Sequence, residues 1–90
     1  MRIRIFYKKL GRKKLWGEAD HDKNLILLDE RLHGRKHLEI LTHESLHLLL
    51  PGANEDEIVR ISTALIRVLW EENYRRIDND DEIPLQDGTI

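Results

Sequence analysis

The sequence predicts a small α+β domain in which a three-stranded antiparallel sheet packs against a two-helix hairpin, in the order βββαα. Three observations predict it. Residues 2–10 alternate with the period of two that suits a half-buried strand, and two further short strand segments follow before residue 33. From Gly34 the apolar spacing changes to the helical period of about 3.6 residues. Pro51-Gly52 then interrupts that pattern before a second helical stripe begins. Ninety residues leave room for one core only. Residues 1–75 are assigned to that single domain, and residues 76–90, acidic and without a cap, to a loosely ordered tail.

Each element has a local reason. "RIRIFYKKL", residues 2–10, sets Ile3, Ile5 and Tyr7 against Arg2, Arg4 and Phe6, and its β-branched and aromatic content favours a strand. "GRKK" at 11–14 is a basic turn. "LWGEADHD", residues 15–22, reads as a short second strand with Gly17 at a bulge and a loop over 20–24. "NLILLDERL", residues 24–32, is the third strand, too short for a helix. Short connections between the three imply a meander. Leu38, Ile40, Leu41, Leu46, Leu48 and Leu49 then recur at helical spacing up to Pro51-Gly52. Asn54 is a good N-cap, and Glu55, Asp56 and Glu57 fall in a first turn, where the helix dipole favours anions. The second helix is expected to run to about Tyr74 with Ile58, Ile61, Leu65, Leu69 and Trp70 inward, and Trp16 and Trp70 are expected in the core.

Composition narrows the functional classes. The chain is 40% hydrophobic and 36% charged with a formal net charge of −2, which gives no general attraction to nucleic acid. The basic stretch "KKLGRKK" reads as a solvated turn, so no nucleic-acid partner is expected. There is no cysteine, which excludes disulfides and thiolate metal sites. No stretch approaches the roughly 20 apolar residues of a membrane span, and the first residues lack the apolar run of a secretion signal. A cytoplasmic protein without membrane contact is expected.

The chemistry concentrates in "THESLH". His43 and His47 are four apart, so on a helix they lie one above the other and can converge on one zinc ion. Glu44 is rotated by about 100° and is badly placed to ligate the same ion. It can instead reach a water at the ion's open position as a general base. A catalytic zinc site needs a third protein ligand, and the acids after the Pro51-Gly52 turn are the natural source. Taking Ile58 as the centre of the inward stripe, Glu55 deviates by roughly 60° and Glu57 by roughly 100°. Glu55 is preferred, with Glu57 as the alternative. His21 is expected at the surface.

His43-Glu44-x-x-His47, a short connector and a glutamate on the next helix resemble the gluzincin metallopeptidases. The likeness is to the minimal ones, including small phage, prophage and bacterial regulatory metallopeptidase-like domains. "GEADHDKNLILLDERL" is similar to the strand pair that precedes the motif helix in those proteins, and the likeness spans roughly residues 15–75. It implies a minimal zincin: a zinc-dependent endopeptidase with Zn2+ on His43, His47 and a downstream Glu, Glu44 as base, and a peptide or protein substrate. It also implies an edge strand, here residues 24–32, that pairs with an extended substrate. Tyr74, His37 and His33 are candidates for polarising the scissile carbonyl. The pattern departs from the family where an Asp or Asn often follows the ligand glutamate by four residues, since Val59 and Ile61 stand there. The other expectation is a metallopeptidase-like module that binds or regulates a protein without cleaving it.

Overall fold

The computed structural model describes residues 1–11 and 15–77; most of the basic turn and most of the expected tail lie outside the described residues. Strands β1 (Arg4–Lys8), β2 (Gly17–Asp20) and β3 (Leu25–Asp29) are followed by helices α1 (Gly34–Leu49) and α2 (Glu55–Glu71). The α+β class and the βββαα order are those the sequence predicts.

The sheet, however, is mixed rather than an antiparallel meander. Its order is β1-β3-β2, with β1 parallel and β2 antiparallel to β3. Apolar content explains the order. β3, "LILLD", is the most apolar strand and takes the centre, where Ile26 and Leu28 are wholly buried. β1 is exposed along its whole length, and its Arg4 and Lys8 suit an edge. Within residues 24–32, Leu25–Asp29 forms the inner strand, so this stretch is not the substrate-pairing edge expected of it. Among the described residues the outer strands are β1 and β2.

Because β1 and β2 flank β3, their connection must cross the end of β3. Asp29 holds that crossing. Its buried carboxylate accepts from Leu10 N (2.9 Å), Arg31 N (2.8 Å), Arg31 Nε (2.9 Å) and Arg31 Nη2 (2.9 Å). Its backbone N–H donates to Trp16 O at 2.9 Å, so both described ends of the crossing connection are tied to one residue. The Arg31 guanidinium holds the Asp29 carboxyl well below the usual carboxylate range; burial opposes this, and the Arg31 and Leu10 amides reinforce it.

The β2–β3 turn is equally local. Asp20 Oδ1 accepts from Asp22 N (3.0 Å) and Lys23 N (3.2 Å), and Asn24 takes the left-handed conformation (φ 49°) that asparagine tolerates. Ile26, Leu28, Leu32 and Leu48 form the core, joined by Ile3, Ala19, Ile40 and Leu41. On α2 the buried positions are Ile58, Ser62 and Ile66, whereas Leu65 is 41% exposed. The inward stripe is thus turned away from Leu65. Trp16 is also 39% exposed rather than part of the core, and Trp70 is half-buried.

Leu28→Ala is expected to cost about 2–5 kcal/mol of stability, read by urea unfolding. The depressed Asp29 carboxyl contributes stability in full above its unfolded value of about 3.9. That contribution is lost as pH falls below this value toward the folded one. Asp29→Asn should lower the unfolding midpoint at neutral pH and flatten the acid limb of stability against pH; an unchanged acid limb would show that another carboxylate dominates it.

Candidate metal centre

Helix α1 carries His43 and His47 on successive turns of one face, with ring centroids 4.8 Å apart. The chain leaves α1 through a turn in which Ala53 N donates to Leu50 O at 3.0 Å, and α2 packs back along α1. Asn54 starts α2 with a reciprocal capping box: Glu57 N donates to Asn54 Oδ1 at 2.9 Å, and Asn54 N donates to Glu57 Oε1 at 3.0 Å.

That cap separates the two glutamates. Glu57 spends its carboxylate on the N-terminus of its own helix. Glu55 precedes Ser62 by seven residues and Ile66 by eleven, which places it within about 20° of each on the inward face. Its carboxylate reaches both imidazoles: Oε2 lies 3.2 Å from His43 Nε2, and Oε1 lies 3.2 Å from His47 Nε2. The two Nε2 atoms are themselves 3.2 Å apart.

These spacings suit a metal ion. Donors bound at 2.0–2.1 Å in a tetrahedron stand about 3.3–3.4 Å from one another. His43, His47 and Glu55 can therefore hold an ion with little movement, and they are the cluster of potential ligands found among the described residues. Two neutral imidazoles and a carboxylate form a nitrogen–oxygen donor set suited to zinc among other first-row ions. The same atoms can also share protons in an imidazole–carboxylate network.

Glu44 does not join this cluster. It lies with His43, Gly17, Trp16 and Ile40 along an open groove of about 530 Å³ whose far wall is Val59, Ser62 and Ile66 of α2. Burial pushes the Glu44 carboxyl above its ordinary value; His43 and His47 pull against that shift, and Glu55 and Glu18 add to it. Gly17 lets β2 approach the helix here, because a Cβ at that position would stand 2.6 Å from Ile40 Cγ2 and 3.2 Å from Glu44 Cγ.

The candidates for carbonyl polarisation lie elsewhere. His37 is buried and shares a 2.8 Å hydrogen bond with the Tyr7 hydroxyl. His33 precedes α1, where its Nδ1 meets Arg31 O at 3.2 Å, and Tyr74 lies beyond α2, 65% exposed. None of the three lines the groove. His21 is exposed, as expected, yet it is not idle: its Nε2–H donates to His47 O at 2.8 Å, satisfying a carbonyl in the last turn of α1. A His opposite a helix end leaves no trace in local sequence. Asp29 was likewise missed; its signal was an acid closing an apolar strand with Arg two residues on.

No family model matches this chain, and neither a curated protein nor a solved structure matches it.

The capping box and the cluster separate by mutation. Glu57→Ala should cost about 1 kcal/mol of stability and leave zinc affinity unchanged in a calorimetric titration. Glu55→Ala should weaken zinc binding at least tenfold; the opposite ranking would assign the third ligand to Glu57.

Proposed function

We propose that the protein is a zinc-dependent peptidase whose metal is held by His43, His47 and Glu55. The observation that supports this reading is the convergence of their three donor atoms at 3.2 Å, beside a groove that contains a second, half-buried carboxylate at Glu44. Zinc, when bound, would supply a Lewis acid that makes water a better nucleophile near neutral pH and polarises a peptide carbonyl.

The residues of the chain would do the rest. Glu44, raised by burial, takes a proton from the attacking water and returns it to the departing amine. Glu55, brought from α2, would complete the donor set with the two imidazoles of α1. β2, an outer strand among the described residues and brought close to α1 at Gly17, offers backbone groups to an extended peptide passing Glu44. Trp16, Ile40 and Val59 would receive an apolar side chain of that peptide.

A second reading rests on where Glu55 sits. Because it comes from α2 and the histidines from α1, a bound ion would fasten the two helices together whether or not it catalyses anything. The chain would then be a protein-binding or regulatory module with a structural zinc. No helix among the described residues is long and apolar enough to cross a membrane.

Elemental analysis should find about one zinc per chain in the wild type and a loss of it in His43→Ala. Glu44→Gln should keep the metal while peptide hydrolysis falls by about a hundredfold or more. Hydrolysis that survives this substitution rules out Glu44 as the base. Full zinc with no cleavage across a peptide library favours the binding module, and a wild type without zinc removes both readings.

A further inference from the structure

The groove beside the candidate centre has a second end. Helix α1 supplies one wall, from His43 and Glu44 back through Ile40 and Glu39 to Arg35. Eight residues separate His43 from Arg35, which is about 12 Å along the helix axis. The two ends differ in chemistry. Beside the cluster the polar lining is an imidazole and the Glu44 carboxyl, whereas the far end carries Arg35, the one cation among the described residues that line the groove.

Arg35 is oriented without being used up. Its Nε donates to Glu39 Oε2 at 3.3 Å, and its guanidinium lies 5.9 Å from the Trp70 ring centre. Its two Nη groups have no hydrogen-bond partner among the described residues. A guanidinium offers five N–H donors in a planar fork that fits a carboxylate in bidentate form, and Glu39 takes one of the five. The Arg35–Glu39 pair is itself half exposed, so it gives way to a competing acid at little cost. Lys36 adds to the positive field. Its Nζ lies 5.8 Å from the ring centre of Trp16, which also lines the groove, and it has no ion pair among the described residues.

Ile40 and Arg35 are five residues apart, roughly 7.5 Å along α1. An extended peptide carries alternate side chains to the same side at intervals of roughly 6.6 Å. We propose that the groove selects acidic peptides, seating a carboxylate on Arg35 two residues from an apolar side chain held by Trp16, Ile40 and Val59. This rests on the reading of the groove as the channel for a peptide substrate. The carboxylate is that of an aspartate or glutamate within the peptide, or the peptide's own C-terminal one; both present the same two oxygens to the fork. A lysine or arginine at that position meets Arg35 and Lys36 and is disfavoured.

Calorimetric titration of the full chain with equimolar zinc tests this, using acetylated alanine-based peptides that each contain one leucine. Amidated peptides carry glutamate, glutamine or lysine two residues from the leucine on either side, and one further peptide ends in a free carboxylate two residues beyond it. A carboxylate peptide should bind about tenfold more tightly than its amidated glutamine counterpart. The internal and C-terminal arms identify the source of the carboxylate. Arg35→Gln should remove the difference while the glutamine peptide keeps its affinity, which reports an intact groove. Glu39→Gln, which releases the fork, should widen the difference. Equal affinities in the wild type, or discrimination that survives Arg35→Gln, overturn this proposal and leave the peptidase reading standing, because binding is read without cleavage. Tightest binding of a lysine peptide also overturns it and assigns the groove end to Glu39. Failure of every peptide to bind overturns it together with the reading of the groove as a peptide channel.

Discussion

The fold depends on a single buried carboxylate. A β1-β3-β2 order obliges the chain to cross the end of the central strand, and a crossing loop brings unpaired backbone groups with it. Asp29 meets that demand from the last position of β3, taking the amide of Leu10 on one side and donating its own amide to Trp16 on the other. Arg31 supplies the neutralising charge in bidentate form and at the same time shapes the turn that leads into α1. A buried carboxylate is tolerable only when its lone pairs are satisfied, and here four donors satisfy them. The start of α1, and through it the placement of His43 and His47, follows from this one junction.

The candidate centre is set by a second local device, the cap of α2. Three acids follow the turn, and each could serve the helix dipole. The capping box binds Glu57 to Asn54 and so fixes the phase of the first turn. With that phase fixed, Glu55 falls in line with Ser62 and Ile66 and faces α1. The cap and the cluster therefore use different glutamates for geometric reasons. His21, from the β2–β3 turn, completes the last turn of α1 by binding the His47 carbonyl, so the sheet also steadies the helix end that carries the second imidazole.

The two sheet edges differ in character. β2 is short, approaches α1 through the bare backbone of Gly17, and lies beside Glu44 and the groove. β1 is basic and apolar, and the chain returns to it after α2 through the contact of Arg76 with Tyr7. One edge adjoins the candidate chemistry, and the other carries the Tyr7 ring on which Arg76 rests. A meander would have left β3 at one edge, exposing the most apolar strand.

Local pattern alone determined a good deal here. The number and order of elements, the break at Pro51-Gly52, the Asn54 cap and the His43-Glu44-x-x-His47 face were legible because each depends on residues within a turn or two of one another. Tertiary structure decided the rest. Strand order was misread, since short connections suggested a meander, whereas burying the apolar β3 between β1 and β2 required a crossing connection. The α2 stripe was centred on Ile58 and extended to Leu65 because leucine outranks serine as a core residue; packing kept Ile58 but buried Ser62 and Ile66 with it, and the Ser62 hydroxyl bonds to Val59 O within the helix. The choice between Glu55 and Glu57 needed the cap and the helix pairing together. Trp16, His21 and Asp29 owe their roles to partners distant in sequence or to a chain crossing, and such contacts exist only once the chain has closed on itself.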